Sequence, residues 1–289
     1  MDAELVLDAH AETGEGPVWD AGSERLLWVD ITRRRVHRFN PASGKDESFD
    51  VGQHVGAVAV RAAGGLVLAL RGGFGLFDPD SGRVEPIADT EAGNPNNRMN
   101  DGKCDSAGRF WAGSMSYAEK GTEGSLYRLD PDRSVRRMLG GIGLSNGLGW
   151  SPDDTLMYYV DSLAARLDVF DFDRVRGEIA NRRTVVEVPA AEGVPDGLTV
   201  DAEGCIWLAL WGGGAVHRYR PNGRLDGEVR LPVRQVSCCT FGGPELADLY
   251  ITSAARGLSA EQLEQQPGAG GVFHCRPGVH GLPSHAYAG

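Results

Sequence analysis

The sequence has no long apolar run, no surplus of basic charge and no C-x-x-C cysteine pair, and each absence removes a class of function. No stretch approaches the roughly 20 apolar residues of a membrane-spanning helix. The opening segment MDAELVLDAH has neither a basic leader nor an apolar run long enough for a secretion signal, so a cytoplasmic location is expected. The 29 Lys and Arg are outnumbered by 40 Asp and Glu, for a net charge of −11. Nucleic acid and anionic membranes are therefore poor partners. The only compact basic run, Arg33-Arg34-Arg35, lies between two apolar segments and reads as a solvated turn. Cys104, Cys205, Cys238, Cys239 and Cys275 form no C-x-x-C pair, which removes the usual cysteine-based zinc and dithiol sites and leaves small buried apolar side chains.

What the sequence does have is turn-forming residues and repetition. Its 41 Gly and 15 Pro punctuate short runs rich in Val, Leu, Trp and Tyr, the signature of antiparallel strands joined by tight turns. One phrase recurs: SERLLWVD, GGLVLAL, GRFWAG, DTLMYYV, GCIWLAL and ADLYIT, each followed by a further strand-like piece such as RVHRFN or GAVHRYR. The residues that close the strand before each phrase are Asp20, Arg61, Asp105, Ser151, Asp201 and Gly242, spaced by 41, 44, 46, 50 and 41 residues. That period belongs to propeller blades. The expectation is an all-β fold, one six-bladed β-propeller over residues 1–289, with Leu5 to Ala9 pairing with the last blade to close the ring.

In a propeller the innermost strands face a common axis, so equivalent positions converge there. Five residues before the anchors lie Glu15, Gly56, Asn100, Asn146, Asp196 and Ser237. Four of these six are carboxylates or carboxamides, at a slot where packing alone would favour small or aliphatic side chains. Glu15, Asn146 and Asp196 are the proposed ligands of one divalent ion: calcium, magnesium, manganese, iron(II) or zinc. Asn146 and Asp196 each precede glycine and also suit ordinary turns, whereas Glu15 shares the slot without any turn preference. Three protein ligands would leave positions for water and substrate, as in catalytic rather than structural sites. Arg98, two residues before Asn100, should point the same way and join it in binding a polar substrate, while Asp101 should face away by alternation and be structural. None of the seven His residues falls in the slot, so a His-based triad has no support. The acidic phrases DPDSG and DPDRS lack the ligand pattern of a calcium loop and read as turns. Trp211 and the three glycines after it fit either a cavity rim or a plain hairpin.

Read in order, GEGPVW around Glu15, NNRMNDGKCDSAGRFWAGSM from Asn96, SNGLGWS around Asn146, PDGLTVDAEG around Asp196 and AGGVF near the end resemble the SMP-30, gluconolactonase and regucalcin-like family over essentially the whole chain. The resemblance implies a six-bladed propeller with a divalent metal on Glu15, Asn146 and Asp196. It further implies hydrolysis of a sugar lactone to its aldonic acid, with Arg98 and Asn100 on the substrate and Asp196 transferring protons as well as ligating. One position departs: some members carry a substrate-contacting Glu where this chain has Ala118, with Glu119 and Glu123 nearby as substitutes. No long apolar stripe marks an interface, so a monomer or weak dimer is expected. Two rival readings are a non-enzymatic calcium- or partner-binding propeller and a metal esterase acting on aryl esters or organophosphates.

Overall fold

The computed structural model describes residues 1–289 and contains six four-stranded antiparallel sheets. Five blades are consecutive runs of four strands, with inner strands Gly14–Asp20, Val55–Val60, Asn97–Cys104, Ser145–Trp150 and Val194–Val200. The sixth takes three strands from the end of the chain, with Val236–Gly242 innermost, and its outermost strand, Glu4–Leu7, from the beginning. Glu4 pairs with His274 and Leu5 with Phe273, so the ring is closed by the chain's first strand, within a residue or two of the expected segment. The one α-helix, Ala260–Gln265, is short, and no helix is long and apolar enough to cross a membrane.

Many strands read as continuous apolar runs because each blade packs between two others and buries both its faces. Six hydrophobic clusters fill the six seams. Ala57, Val67 and Phe74 of the second blade pack with Met99, Phe110 and Leu129 of the third, and Trp207 and Val216 of the fifth pack with Phe241 and Ile251 of the sixth. The seam closed by the first strand holds the smallest cluster, seven residues built around Trp19, Trp28 and Tyr250. All five cysteines are buried and unpaired.

Three of the anchors on which the repeat was aligned are carboxylates, and two of these tie their blades together. Asp105 accepts from the Ala107 and Arg109 amides, from Arg109 Nε at 2.6 Å and from Trp111 Nε1 at 2.9 Å. Asp201 repeats the device, accepting from the Glu203 and Cys205 amides, from Trp207 Nε1 at 2.9 Å and from Arg218 Nε at 2.8 Å. Each is fully buried with both oxygens matched, the condition under which a buried charge is tolerated.

Every inner strand has a register irregularity at the slot: Glu15/Val18, Val55/Ala57, Met99/Gly102, Ser145/Leu148, Pro195/Leu198 and Val236/Cys238. Such bulges leave residues unpaired and re-aim their side chains, here toward the axis. The strands approach closely at this level. A Cβ on Gly56 would collide with the Asn100 backbone, and one on Gly197 with the Cys238 side chain. At the other end of the channel the C-terminal segment crosses the blades: the Tyr287 amide donates to Val60 O, and Tyr287 OH donates to Asp130 O.

Candidate metal and substrate site

The bulged ends of the inner strands open into a cavity of about 590 Å³, and all five residues singled out from the sequence line it: Glu15, Arg98, Asn100, Asn146 and Asp196. They come from four loops and strands that are far apart in sequence, and the ring of blades brings them together. Each is buried, with side-chain polar atoms turned to the cavity or to one another.

The two acids are in an unusual electrostatic position. Burial, then the charge of Asp101, pushes Glu15 up to about 8, and the Asp196 carboxyl is within hydrogen-bonding reach of it. Burial, then Glu15 and Asp101, holds Asp196 well above the ordinary carboxylate range. Two buried carboxyls this close cannot both ionise without a proton or cation between them. Asp101 does not line the cavity, as strand alternation predicts, but its charge reaches the two acids. It is buried at the bulge between Met99 and Gly102, where it raises both acids and where Lys103 partly offsets its own upward shift.

A hydrogen-bonded chain runs beside the acids. Arg98 Nη1 donates to Asn100 Oδ1 at 2.6 Å, Asn100 Nδ2 to Asn146 Oδ1 at 3.0 Å, Asn146 Nδ2 to Ser162 Oγ at 2.9 Å, and Ser162 Oγ to Pro195 O at 2.6 Å. Burial lowers Arg98 to about 10, which leaves the guanidinium charged at neutral pH. Two carboxyl groups and an amide oxygen in the cavity form a hard-donor set that suits a divalent cation such as calcium or manganese, and a cation there would relieve the repulsion between the acids.

Other parts of the cavity were left open by the sequence or gave no signal in it. Glu119, not Ala118, reaches the wall, where it pairs with Arg256 at 2.7 Å; Glu123 does not line the cavity. Glu119 stands at positive φ (50°), a backbone twist that turns its side chain where Ala118 would not lead. Leu144, Leu163, Val194 and Trp211 form an apolar wall from the fourth and fifth blades, so Trp211 is a cavity residue rather than only a hairpin residue. Ser162, Gln235 and Arg256 lie outside the inner strands, where the repeat gives no signal. A different acidic group, Asp201, Glu203 and Cys205, is bridged by Arg218, which lies 2.7 Å from Asp201 and 2.6 Å from Glu203. The guanidinium already supplies the positive charge a metal would bring.

The family model for the SMP-30/gluconolactonase/LRE-like region matches residues 13–255. The chain belongs to this family. Its similarity to regucalcin of Danio rerio is 42% identity, covering 100% of this chain and 99% of that protein. The structure matches that of a regucalcin from Agrobacterium tumefaciens, described as a calcium-binding protein, with a TM-score of 0.95 and 29% identity over 99% of this chain and 97% of that one. A gluconolactonase from Xanthomonas campestris gives a TM-score of 0.77 with 26% identity, over 94% and 88% of the two chains. Membership of the SMP-30/gluconolactonase family agrees with the resemblance read from the five motifs, and these neighbours share the six-bladed fold.

Proposed function

We propose that this protein hydrolyses a sugar lactone to its aldonic acid, using one divalent ion held by Glu15, Asn146 and Asp196. The observation that carries the reading is the meeting of two cation-seeking acids and an amide oxygen in a cavity lined by both polar and apolar side chains. A lactone sugar has matching faces: hydroxyls around its edge and C–H groups across its ring.

In this reading Arg98 and Asn100 hydrogen-bond the substrate's hydroxyls or its carbonyl. Glu119 and Arg256 offer an acceptor and a donor to the sugar hydroxyls, in the role that the departure at Ala118 leaves open. Leu144, Leu163, Val194 and Trp211 take the C–H face. Asp196 accepts a proton from the attacking water and returns it to the ring oxygen as the acyl C–O bond breaks, so one lactone and one water give one hydroxy acid. When bound, the ion lowers the charge repulsion between the acids and polarises the ester carbonyl.

The test is acid release, followed with a pH indicator, from five- and six-carbon aldonolactones and an aryl ester. The enzyme is chelator-stripped and reconstituted with calcium, manganese or zinc in turn. The expected result is ion-dependent opening of aldonolactones in preference to the aryl ester. Ion binding without acceleration over spontaneous hydrolysis would favour a calcium-binding propeller without this activity instead.

A further inference from the structure

We infer that Ser162, acting with the Arg98–Asn100 end of the chain, holds the Asn146 amide in one orientation and thereby keeps its oxygen available to the divalent ion; this rests on the metal reading above. The two ends of the hydrogen-bonded chain carry the argument. Arg98 can only donate, so Asn100 must turn its oxygen to the guanidinium. Its NH₂ then points to Asn146, which must answer with oxygen. At the far end the Pro195 carbonyl can only accept, so the single hydroxyl hydrogen of Ser162 goes to it. What Ser162 offers Asn146 is therefore a lone pair, and Asn146 must present NH₂. Neither terminus can be reversed, so both amides have one permitted orientation.

The Asn146 oxygen has two lone pairs, and the chain uses only one. The other remains for the cavity beside Glu15 and Asp196. A flipped amide would direct N–H groups at a cation and against the Asn100 NH₂. The Ser162 hydroxyl is engaged by Asn146 and Pro195, so Ser162 acts through Asn146, as a positioning residue. It comes from the short 3₁₀ turn Ser162–Ala164 at the end of the fourth blade's second strand, and it joins that blade to Pro195 of the fifth.

The experiment is calorimetric titration of calcium, manganese and zinc into the chelator-stripped full chain. Four variants accompany the native protein: Ser162→Ala, Ser162→Thr, Asn146→Asp, and Asn146→Asp with Ser162→Ala. Ser162→Ala should weaken binding about tenfold or more, the range seen when an outer partner of a ligand is removed. Ser162→Thr, which keeps the hydroxyl, should restore it. In the Asn146→Asp background the same Ser162→Ala change should cost less than about threefold, because a carboxylate has no N–H face to flip. Unchanged binding in Ser162→Ala, or an equal loss in both backgrounds, overturns the inference while leaving the metal site standing. Failure of the native protein to bind any of the three ions overturns the metal reading and the inference with it. If Ser162→Ala does not fold, Ser162→Cys, whose thiol accepts poorly, replaces it in both backgrounds.

Discussion

Buried carboxylates occupy two positions of the blade repeat that are five residues apart, Glu15 and Asp196 at one and Asp105 and Asp201 at the other, and they are built for opposite ends. Asp105 and Asp201 have both oxygens occupied by Arg, Trp and backbone donors of their own blades. Glu15 and Asp196 stand side by side in the cavity and are pushed toward the protonated form. The first pair is satisfied by the folded chain alone. The second is left unsatisfied, as the proposed cation and substrate site requires. Matched charge holds the blades; unmatched charge marks the proposed site.

Reversing the two sets by mutation should have opposite consequences. The largest effect is on catalysis: Asp196→Ala should lower lactone hydrolysis by about a thousandfold or more, read by acid release, because ligand and proton acceptor are lost together. On stability the order inverts. Asp201→Asn should cost about 1–3 kcal/mol in denaturant unfolding, since it removes the charged acceptor shared by Arg218, Trp207 and two backbone amides while Glu203 and Asp226 still pair with Arg218. Asp196→Asn, by contrast, should leave the melting temperature of the metal-free protein unchanged or raised, because it removes one of two repelling acids. Equal destabilisation by the two substitutions would erase the distinction.

The close packing of the ring gives the next effect. Gly147→Ala places a Cβ 2.5 Å from the Leu198 amide, and should cost about 1–3 kcal/mol. Metal removal sharpens the comparison through pH. Glu15 has a raised folded-state value, about 8, so its contribution to stability is complete at acid pH and is lost as pH rises from the ordinary carboxylate range through about 8. Chelated protein should therefore melt at a lower temperature at pH 8 than at pH 5.5, and a saturating divalent ion should reduce that difference. The smallest effect is at the wall: Glu119→Gln, at a half-exposed ion pair, should raise KM for the lactone severalfold with little change in melting temperature.

Much of this could be read from the residues. The repeat gave the six blades because each must contribute the same strand to one ring, and that symmetry made Glu15, Asn100, Asn146 and Asp196 equivalent positions before any coordinates were known. The charge of Asp101 on the two acids escaped the reading because period-two alternation assigns a side chain to a face and says nothing of how far its charge reaches. Arg256 and Ser162 escaped because they stand on connections outside the repeating inner strands, and Glu119, on another such connection, could be named only as one of two substitutes for Ala118. Their neighbours in space are more than 90 residues away in two of the three cases or, for Ser162, depend on a carbonyl of the next blade.

The sequence by itself determined the strand count, the ring and the axial slot, because these follow from local hydrophobic pattern and a repeated spacing. Only the tertiary structure decided which wall of the cavity is apolar and that Glu119 rather than Ala118 reaches it. It also decided that the Asn146 amide has a single orientation. Those properties depend on where bulges and turns aim individual side chains, and on hydrogen-bond partners supplied by other blades, neither of which a one-dimensional pattern encodes.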